Sequence, residues 1–344
     1  MNLEKLVRKN IYKLKPYSCA RDEFKGEASV YLDANESPYN SLYNRYPDPL
    51  QLRLKERISK IKNINTEQIM LGNGSDECID LIFRIFCEPS IDNVVAIEPT
   101  YGIYKVFADV NNVEYRKVFL DENFQLNAEQ LLASTNENSK VIFLCSPNNP
   151  TGNLLNSSEI QKVIEDFHGI VVVDEAYIDF SNEPSWLNKL DKYPNIVVLQ
   201  TFSKAWALAS LRCGMAFASK EIISFFNKVK YPYNLSTLVQ QTILNQLDSE
   251  CDFKNRWVRE ILKEREHLSA VLKTLPIVEK IYPSDANFLL VKVNDAKSIY
   301  NNLVDKGIIV RNRNTVSLCG NCLRITIGKI EENDKLADCL KMLN

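Results

Sequence analysis

Gly169-Ile-Val-Val-Val-Asp174 and Asn195-Ile-Val-Val-Leu-Gln-Thr201 are short, almost unbroken apolar runs that end in a polar residue. A strand with one wet face alternates apolar and polar side chains. A run that does not alternate is covered on both faces, as in a parallel sheet layered between helices. Working outward, Asn93-Val-Val-Ala-Ile-Glu98, Lys140-Val-Ile-Phe-Leu-Cys145 and Cys213-Gly-Met-Ala-Phe-Ala218 share this character, with helical stretches between most of them. The expected fold class is α/β: a large domain, residues 45–235, with a mainly parallel sheet flanked by helices. After Tyr233 the texture changes, and 237–273 repeats its apolar residues at helical spacing. A strand at Asn287–Lys292, a helix at Ala296–Lys306, strands at Ile308–Arg311 and Cys322–Ile327 and a helix from Glu332 follow. These predict a smaller α+β domain, 236–344, completed by residues 1–44.

Whole-chain properties narrow the chemistry. The 344 residues carry a formal net charge of −2, which gives no general attraction for nucleic acid. An anionic substrate would need a local basic pocket. The opening MNLEKLVRKNIYKLKPY has no continuous apolar stretch, and no run is long enough to span a bilayer, so neither secretion nor a membrane is expected. Nine scattered cysteines suit reduced thiols in a cytoplasmic protein. The pair Cys319 and Cys322 lacks a second such pair or a nearby histidine, so no metal is expected. His168 and His267 are the only histidines, and both lie in helix-end or charged helical contexts. The chemistry must rest on Lys, Asp, Tyr, Arg and Asn.

In open α/β sheets ligands bind beyond the carboxyl ends of the strands. Gly72-Asn-Gly-Ser-Asp-Glu77 precedes a helical run, so the amides of Ser75 and Asp76 could cradle a phosphate or simply cap the helix. Ser146-Pro-Asn-Asn-Pro-Thr-Gly-Asn153 is a long loop after a strand, with Asn149 placed to offer an amide. Asp174 ends an apolar strand, where a carboxylate is costly without a partner, and Tyr177 follows. Lys204, in Thr201-Phe-Ser-Lys-Ala-Trp206, comes directly after another strand, with Arg212 beyond it. A lone lysine there would snorkel; one grouped with Asp174, Asn149 and Arg212 has work to do. The chain has only ten glycines, where average usage would give roughly 24. Gly72, Gly74, Gly102, Gly152 and Gly214 fall in or beside these motifs, as if the backbone there requires them.

The ordered motifs GNGSDE, SPNNPTGN, VVVDEAY and TFSKAWALASLRCG resemble those of fold-type I pyridoxal-5′-phosphate (PLP) aminotransferases. Pro16–Arg21, Leu32–Pro38, Arg45–Pro49 and Leu323–Gly328 are similar to the histidinol-phosphate aminotransferase family, and the resemblance runs from about Asn10 to Gly328. It implies that Lys204 holds PLP covalently and moves the proton, that Asp174 pairs with the pyridine nitrogen, and that Asn149 and Tyr177 bond the ring oxygen. Tyr101 would stack on the ring. Ser203, Arg212 and the Ser75–Asp76 amides would hold the phosphate, joined by Tyr46 from a second subunit of a homodimer. Arg311 and Arg324, with Tyr17, would bind the phosphate of histidinol phosphate and the carboxylates of glutamate and 2-oxoglutarate. A solvated loop is the competing reading for Arg311 and Arg313 in VRNRN, and it stays open for Arg313 above all. The family often has glycine where this chain has Ala207. A threonine-phosphate decarboxylase, an aromatic-amino-acid aminotransferase, a non-enzymatic PLP-binding regulator and a nucleotide-binding protein are the competing readings.

Overall fold

The computed structural model describes residues 2–18, 26, 28–41, 43–249 and 251–343. Residues 19–21 of the Pro16–Arg21 motif lie outside them. The large sheet has seven strands: β1 (Ile69–Asn73), β2 (Asn93–Glu98), β3 (Glu114–Phe119), β4 (Ser139–Cys145), β5 (Ile170–Asp174), β6 (Ile196–Thr201) and β7 (Cys213–Ala218). Their order is β1-β7-β6-β5-β4-β2-β3, with only β7 antiparallel to its neighbours. The non-alternating runs sit centrally, as coverage by helices on both faces demands: every residue of β5, β6 and β7 is buried. Two core clusters flank this sheet, one around Leu71, Val173 and Phe217 and the other around Met70, Val172 and Ala216. Alternate residues of one strand thus feed opposite layers.

The smaller sheet is antiparallel, in the order β10-β11-β9-β8, from β8 (Val278–Ile281), β9 (Phe288–Val293), β10 (Arg311–Asn312) and β11 (Cys322–Thr326). Helices Ala296–Asp305 and Ile330–Lys341 pack on it through Ile299, Leu303, Leu336 and Leu340. The strand expected at Ile308–Arg311 is corrected to Arg311–Asn312, because residues 308–310 are a lead-in with no ladder partner.

Two segments outside residues 45–235 pack with the large sheet. Val7 packs with Met70, Ile82 and Phe226, and the Arg8 guanidinium donates to the Arg84 carbonyl at 3.1 Å. Ile243 and Leu247, in helix Thr237–Ser249, join the core cluster of β1. The change of allegiance occurs along helix Cys251–Leu272, whose Leu268 and Leu272 belong to the small core. Tyr177, Ala205, Val258 and Phe288 form a cluster between the two bodies. Among the described residues no helix is long and apolar enough to cross a membrane.

Candidate active site

β4, β5 and β6 end side by side, and the segments that leave them open onto a cavity of about 390 Å³. It is lined by Ser75, Asp76, Tyr101, Asn149, Asp174 and Tyr177, and by Ser203, Lys204, Arg212, Arg311 and Arg324. Eleven of the thirteen residues singled out from sequence therefore meet in one place. Tyr17 and Tyr46 do not line it: Tyr17 is 74 % exposed, and Tyr46 stacks on Tyr233 with ring centroids 4.5 Å apart. His168 and His267 are both exposed and lie elsewhere.

At the floor is Asp174, the last residue of β5, 3 % exposed. The Tyr104 hydroxyl donates to its Oδ2 at 2.6 Å, and the Ala176 amide to its Oδ1 at 3.1 Å. Burial pushes this carboxyl above its ordinary value, while those two hydrogen bonds pull it back. A carboxylate in such a place favours a cationic partner.

Lys204 follows β6 on the loop that turns back into β7. Its Nζ stands 5.4 Å from the centre of the Tyr177 ring. Burial, then the Arg324 charge, lowers its pKa, with Asp174 and Asp76 opposing. That shift raises the fraction of free amine, the form needed for a nucleophile and a base. Tyr177 is held edge-on against Phe288 at 5.2 Å.

One end of the cavity is built for an anion. Helix Gly74–Phe86 begins directly after β1, so the Ser75 and Asp76 amides fall in its first turn, where N–H groups have no helical acceptor. Arg212 Nη2 lies 3.3 Å from Asp76 Oδ2, and the Gly74 amide donates to the Arg212 carbonyl at 2.8 Å. The Tyr101 hydroxyl donates to Asp76 Oδ1 at 3.2 Å, and the Ser203 amide donates to Thr201 Oγ1 at 3.0 Å. β7 crosses this helix start so closely that a Cβ on Gly214 would sit 2.1 Å from the Ser75 nitrogen. Gly74 has φ +74°, and a Cβ there would lie 2.7 Å from Arg212 Nη2. Backbone donors, a hydroxyl and a guanidinium converge here because two glycines let the chain segments touch.

The opposite wall comes from the small sheet. Arg311 is the register partner of Arg324, so the two point to the same face. Arg324 Nη1 donates to Asn149 Oδ1 at 2.5 Å, which leaves the Asn149 Nδ2 hydrogens for a ligand. The Ser146–Asn153 loop is further tied to the small body: the Asp285 amide donates to the Gly152 carbonyl at 2.7 Å, and the Leu154 amide to Asp285 Oδ2 at 2.8 Å.

A family model described as aminotransferase class I and II matches residues 23–340. The chain belongs to this aminotransferase family. A histidinol-phosphate aminotransferase of Bacteroides thetaiotaomicron is 60 % identical over 340 residues, covering 98 % of each chain. Among solved structures, the histidinol-phosphate aminotransferase of Clostridium acetobutylicum has a TM-score of 0.80 at 24 % identity, over 88 % of this chain and 91 % of that one. That of Sinorhizobium meliloti, solved with pyridoxal-5′-phosphate, has a TM-score of 0.79 at 23 % identity, over 87 % and 82 %. At such identities these structures establish the fold.

Sequence reading missed three residues of this aminotransferase's site. Tyr104 lies in the first turn of helix Ile103–Val110, three residues after Tyr101, and its ring stands edge-on to the Tyr101 ring with centroids 5.7 Å apart. Thr201 lines the cavity and orients Ser203. Arg313, whose loop reading was open in the sequence, also lines it.

Proposed function

We infer that this chain is a PLP-dependent transaminase that moves the amino group of L-histidinol phosphate to 2-oxoglutarate, giving imidazole acetol phosphate and glutamate. The observation that carries the reading is Lys204, partly desolvated between a buried carboxylate, a phosphate-sized nest of donors and an arginine wall. The full-length likeness to enzymes named for this reaction supports the substrate.

The residues present suit PLP. The Ser75 and Asp76 amides, Ser203 and Arg212 form a donor set for its phosphate, and Asp174 offers the anion that a protonated pyridine nitrogen requires. Asn149 Nδ2 and the Tyr177 hydroxyl, which have no partner among the described residues, are left for its ring oxygen. Bound PLP supplies an electron sink that stabilises negative charge at the substrate's α-carbon. Tyr104 and the Ala176 amide, by donating to Asp174, favour its ionised form, which would hold the ring nitrogen protonated. Lys204 Nζ, once free as an amine, would accept the α-proton and deliver it to the cofactor's C4′, and its lowered pKa matches that task. Arg324 and Arg311 take the anionic ends of both substrates, since the guanidinium fork fits phosphate and carboxylate alike.

The functional unit we propose is a homodimer with shared sites, Tyr46 reaching the partner's phosphate nest and Tyr17 its substrate pocket. Exposure of Leu32, Tyr39, Tyr43 and Tyr46 along one N-terminal stretch supports a covering chain. Residues 45–235, extended by the N-terminal turns and helix Thr237–Ser249, form the proposed PLP domain, with the rest as the substrate-closing domain. Buried free thiols, such as those of Cys78, Cys145 and Cys213, support a cytoplasmic setting.

Purified protein should show a visible PLP band that bleaches with histidinol phosphate, and should form glutamate when 2-oxoglutarate is added. Lys204→Ala should abolish turnover. Carbon dioxide release from threonine phosphate would overturn the substrate in favour of a decarboxylase, and a colourless protein that cannot be loaded with PLP would overturn the class.

A further inference from the structure

β10 ends at Asn312, but its alternation continues: the Arg313 amide donates to the Cys322 carbonyl at 2.8 Å. Arg311 and Arg313, two residues apart, therefore share a face, and Arg324 joins them from across the ladder. All three guanidiniums line the cavity. Three like charges on adjacent positions of one small sheet destabilise it unless something neutralises them. Among the described residues none of the three has an Asp or Glu ion-pair partner, although Arg212 and Arg45 have theirs.

Arg313 is the strained member of the set. Its Nε is buried and has no hydrogen-bond partner. Burial, then the charges of Arg324 and Arg311, brings its guanidinium down to about 10. Arg324 by contrast is supported by the Asn149 carbonyl and by the Phe288 ring, 5.3 Å from its Cζ. A solvated loop arginine would turn its head to water. This one keeps a donor buried at the mouth of an arginine-lined cavity.

We propose that Arg313 is a specificity-determining residue, a third arginine that binds the phosphate monoester end of the substrate together with Arg311 and Arg324. The proposal rests on the substrate reading given above and deepens it. A phosphate dianion presents three terminal oxygens and can accept from three guanidiniums at once. A carboxylate presents two oxygens, which one fork already fills. Arg313 is thus the member whose contribution separates the two substrates that share this pocket: it tightens the phosphate half of the reaction more than the glutamate half.

The test uses Arg313→Gln and Arg313→Lys in the PLP-loaded enzyme, with each half-reaction followed in single turnover and inorganic phosphate titrated as a competing anion. Loss of a charge-assisted contact predicts a roughly 10- to 100-fold weaker apparent affinity for histidinol phosphate in Arg313→Gln. The inhibition constant for inorganic phosphate should rise in step, and Arg313→Lys should recover part of both. The loss on glutamate should be at least about tenfold smaller, because one fork still fills the carboxylate. Equal losses on both substrates, or none on either, would overturn the proposal. If wild-type enzyme transaminates glutamate but not histidinol phosphate, the substrate reading fails by itself. The inorganic-phosphate arm then still decides on Arg313, since an unchanged inhibition constant in Arg313→Gln overturns it.

Discussion

Replacing Tyr104 by Phe removes one oxygen and little else. The Tyr104 ring is fully buried, stacked on Phe143 with centroids 4.8 Å apart and edge-on to Tyr101 at 5.7 Å, and a phenylalanine keeps both contacts. What is lost is the 2.6 Å hydrogen bond to Asp174 Oδ2, leaving the Ala176 amide as the carboxylate's remaining donor. A hydrogen bond to a charged group contributes about 1.5–3 kcal/mol, and one pKa unit corresponds to about 1.4 kcal/mol. Asp174, already raised by burial, should therefore rise further in the variant without cofactor. Below that raised pKa the variant must release a proton from Asp174 before the carboxylate can pair with the cofactor's ring cation. PLP affinity should then be about 10- to 100-fold weaker on the acid side and should converge on the parent as pH rises through the variant's pKa. The measurement is a PLP titration at several pH values in a Lys204→Ala background, where covalent attachment does not mask the difference. Parallel affinity curves for the two proteins across pH would refute the assignment of Tyr104 as a group that favours the ionised form of Asp174.

Other outcomes follow from the same geometry. Glu175 is 1 % exposed and accepts from the Trp186 amide at 2.7 Å and Gln200 Nε2 at 2.9 Å, and burial pushes it up from 4.5 to about 7. Because its folded pKa is the higher one, stability is lost as pH rises from 4.5 to 7, by up to about 3 kcal/mol. Glu175→Gln should therefore gain on the parent by about that amount across the window in urea unfolding, with Gln200 flipping to present its unpaired Oε1; a pH-independent gap would count against this. Gly214→Ala places a methyl 2.1 Å from the Ser75 nitrogen and should displace the helix start, costing about 1–3 kcal/mol and weakening PLP binding measurably. Ala207 has φ +55°, so Ala207→Gly should raise stability by up to about 1 kcal/mol, read as a higher midpoint of thermal or urea unfolding.

The parts of the fold that could be read from sequence are those whose environment is uniform. β2 and β4 to β7 are covered on both faces, so their runs announce themselves. The strands that escaped, β1, β3 and β8, are all sheet edges. Glu114-Tyr-Arg-Lys-Val-Phe119 carries three charged residues and exposes Glu114, Lys117 and Phe119, as an edge that avoids further pairing should. β1 was hidden differently: its last two residues, Gly72 and Asn73, read as loop, yet both pair with β7. Glycine scarcity was a fair guide to Gly74 and Gly214 but not to Gly102, where a Cβ would meet nothing within 4 Å.

The site divides along the same line. Lys204, Asp174, Asn149 and Arg212 were readable because each sits at or within a few residues of a strand end, where local sequence goes far to fix the surroundings. Arg313 and Tyr104 were not, because what makes them functional is a partner distant in the chain. Tyr104 acts on Asp174 seventy residues away, and the charge on Arg313 acquires its meaning from the pairing of Arg311 with Arg324. An arginine in Val310-Arg-Asn-Arg-Asn314 is indistinguishable from a loop cation until the register of β10 on β11 is known. Shifting that register by one residue would turn Arg311 and Arg313 to the other face and leave Arg324, held by the pairing of β11 with β9, alone on the cavity side. On the proposed reading, anion selectivity is a property of sheet register and the chemistry at Lys204 a property of strand ends, so substitutions in the two regions should separate binding from proton transfer.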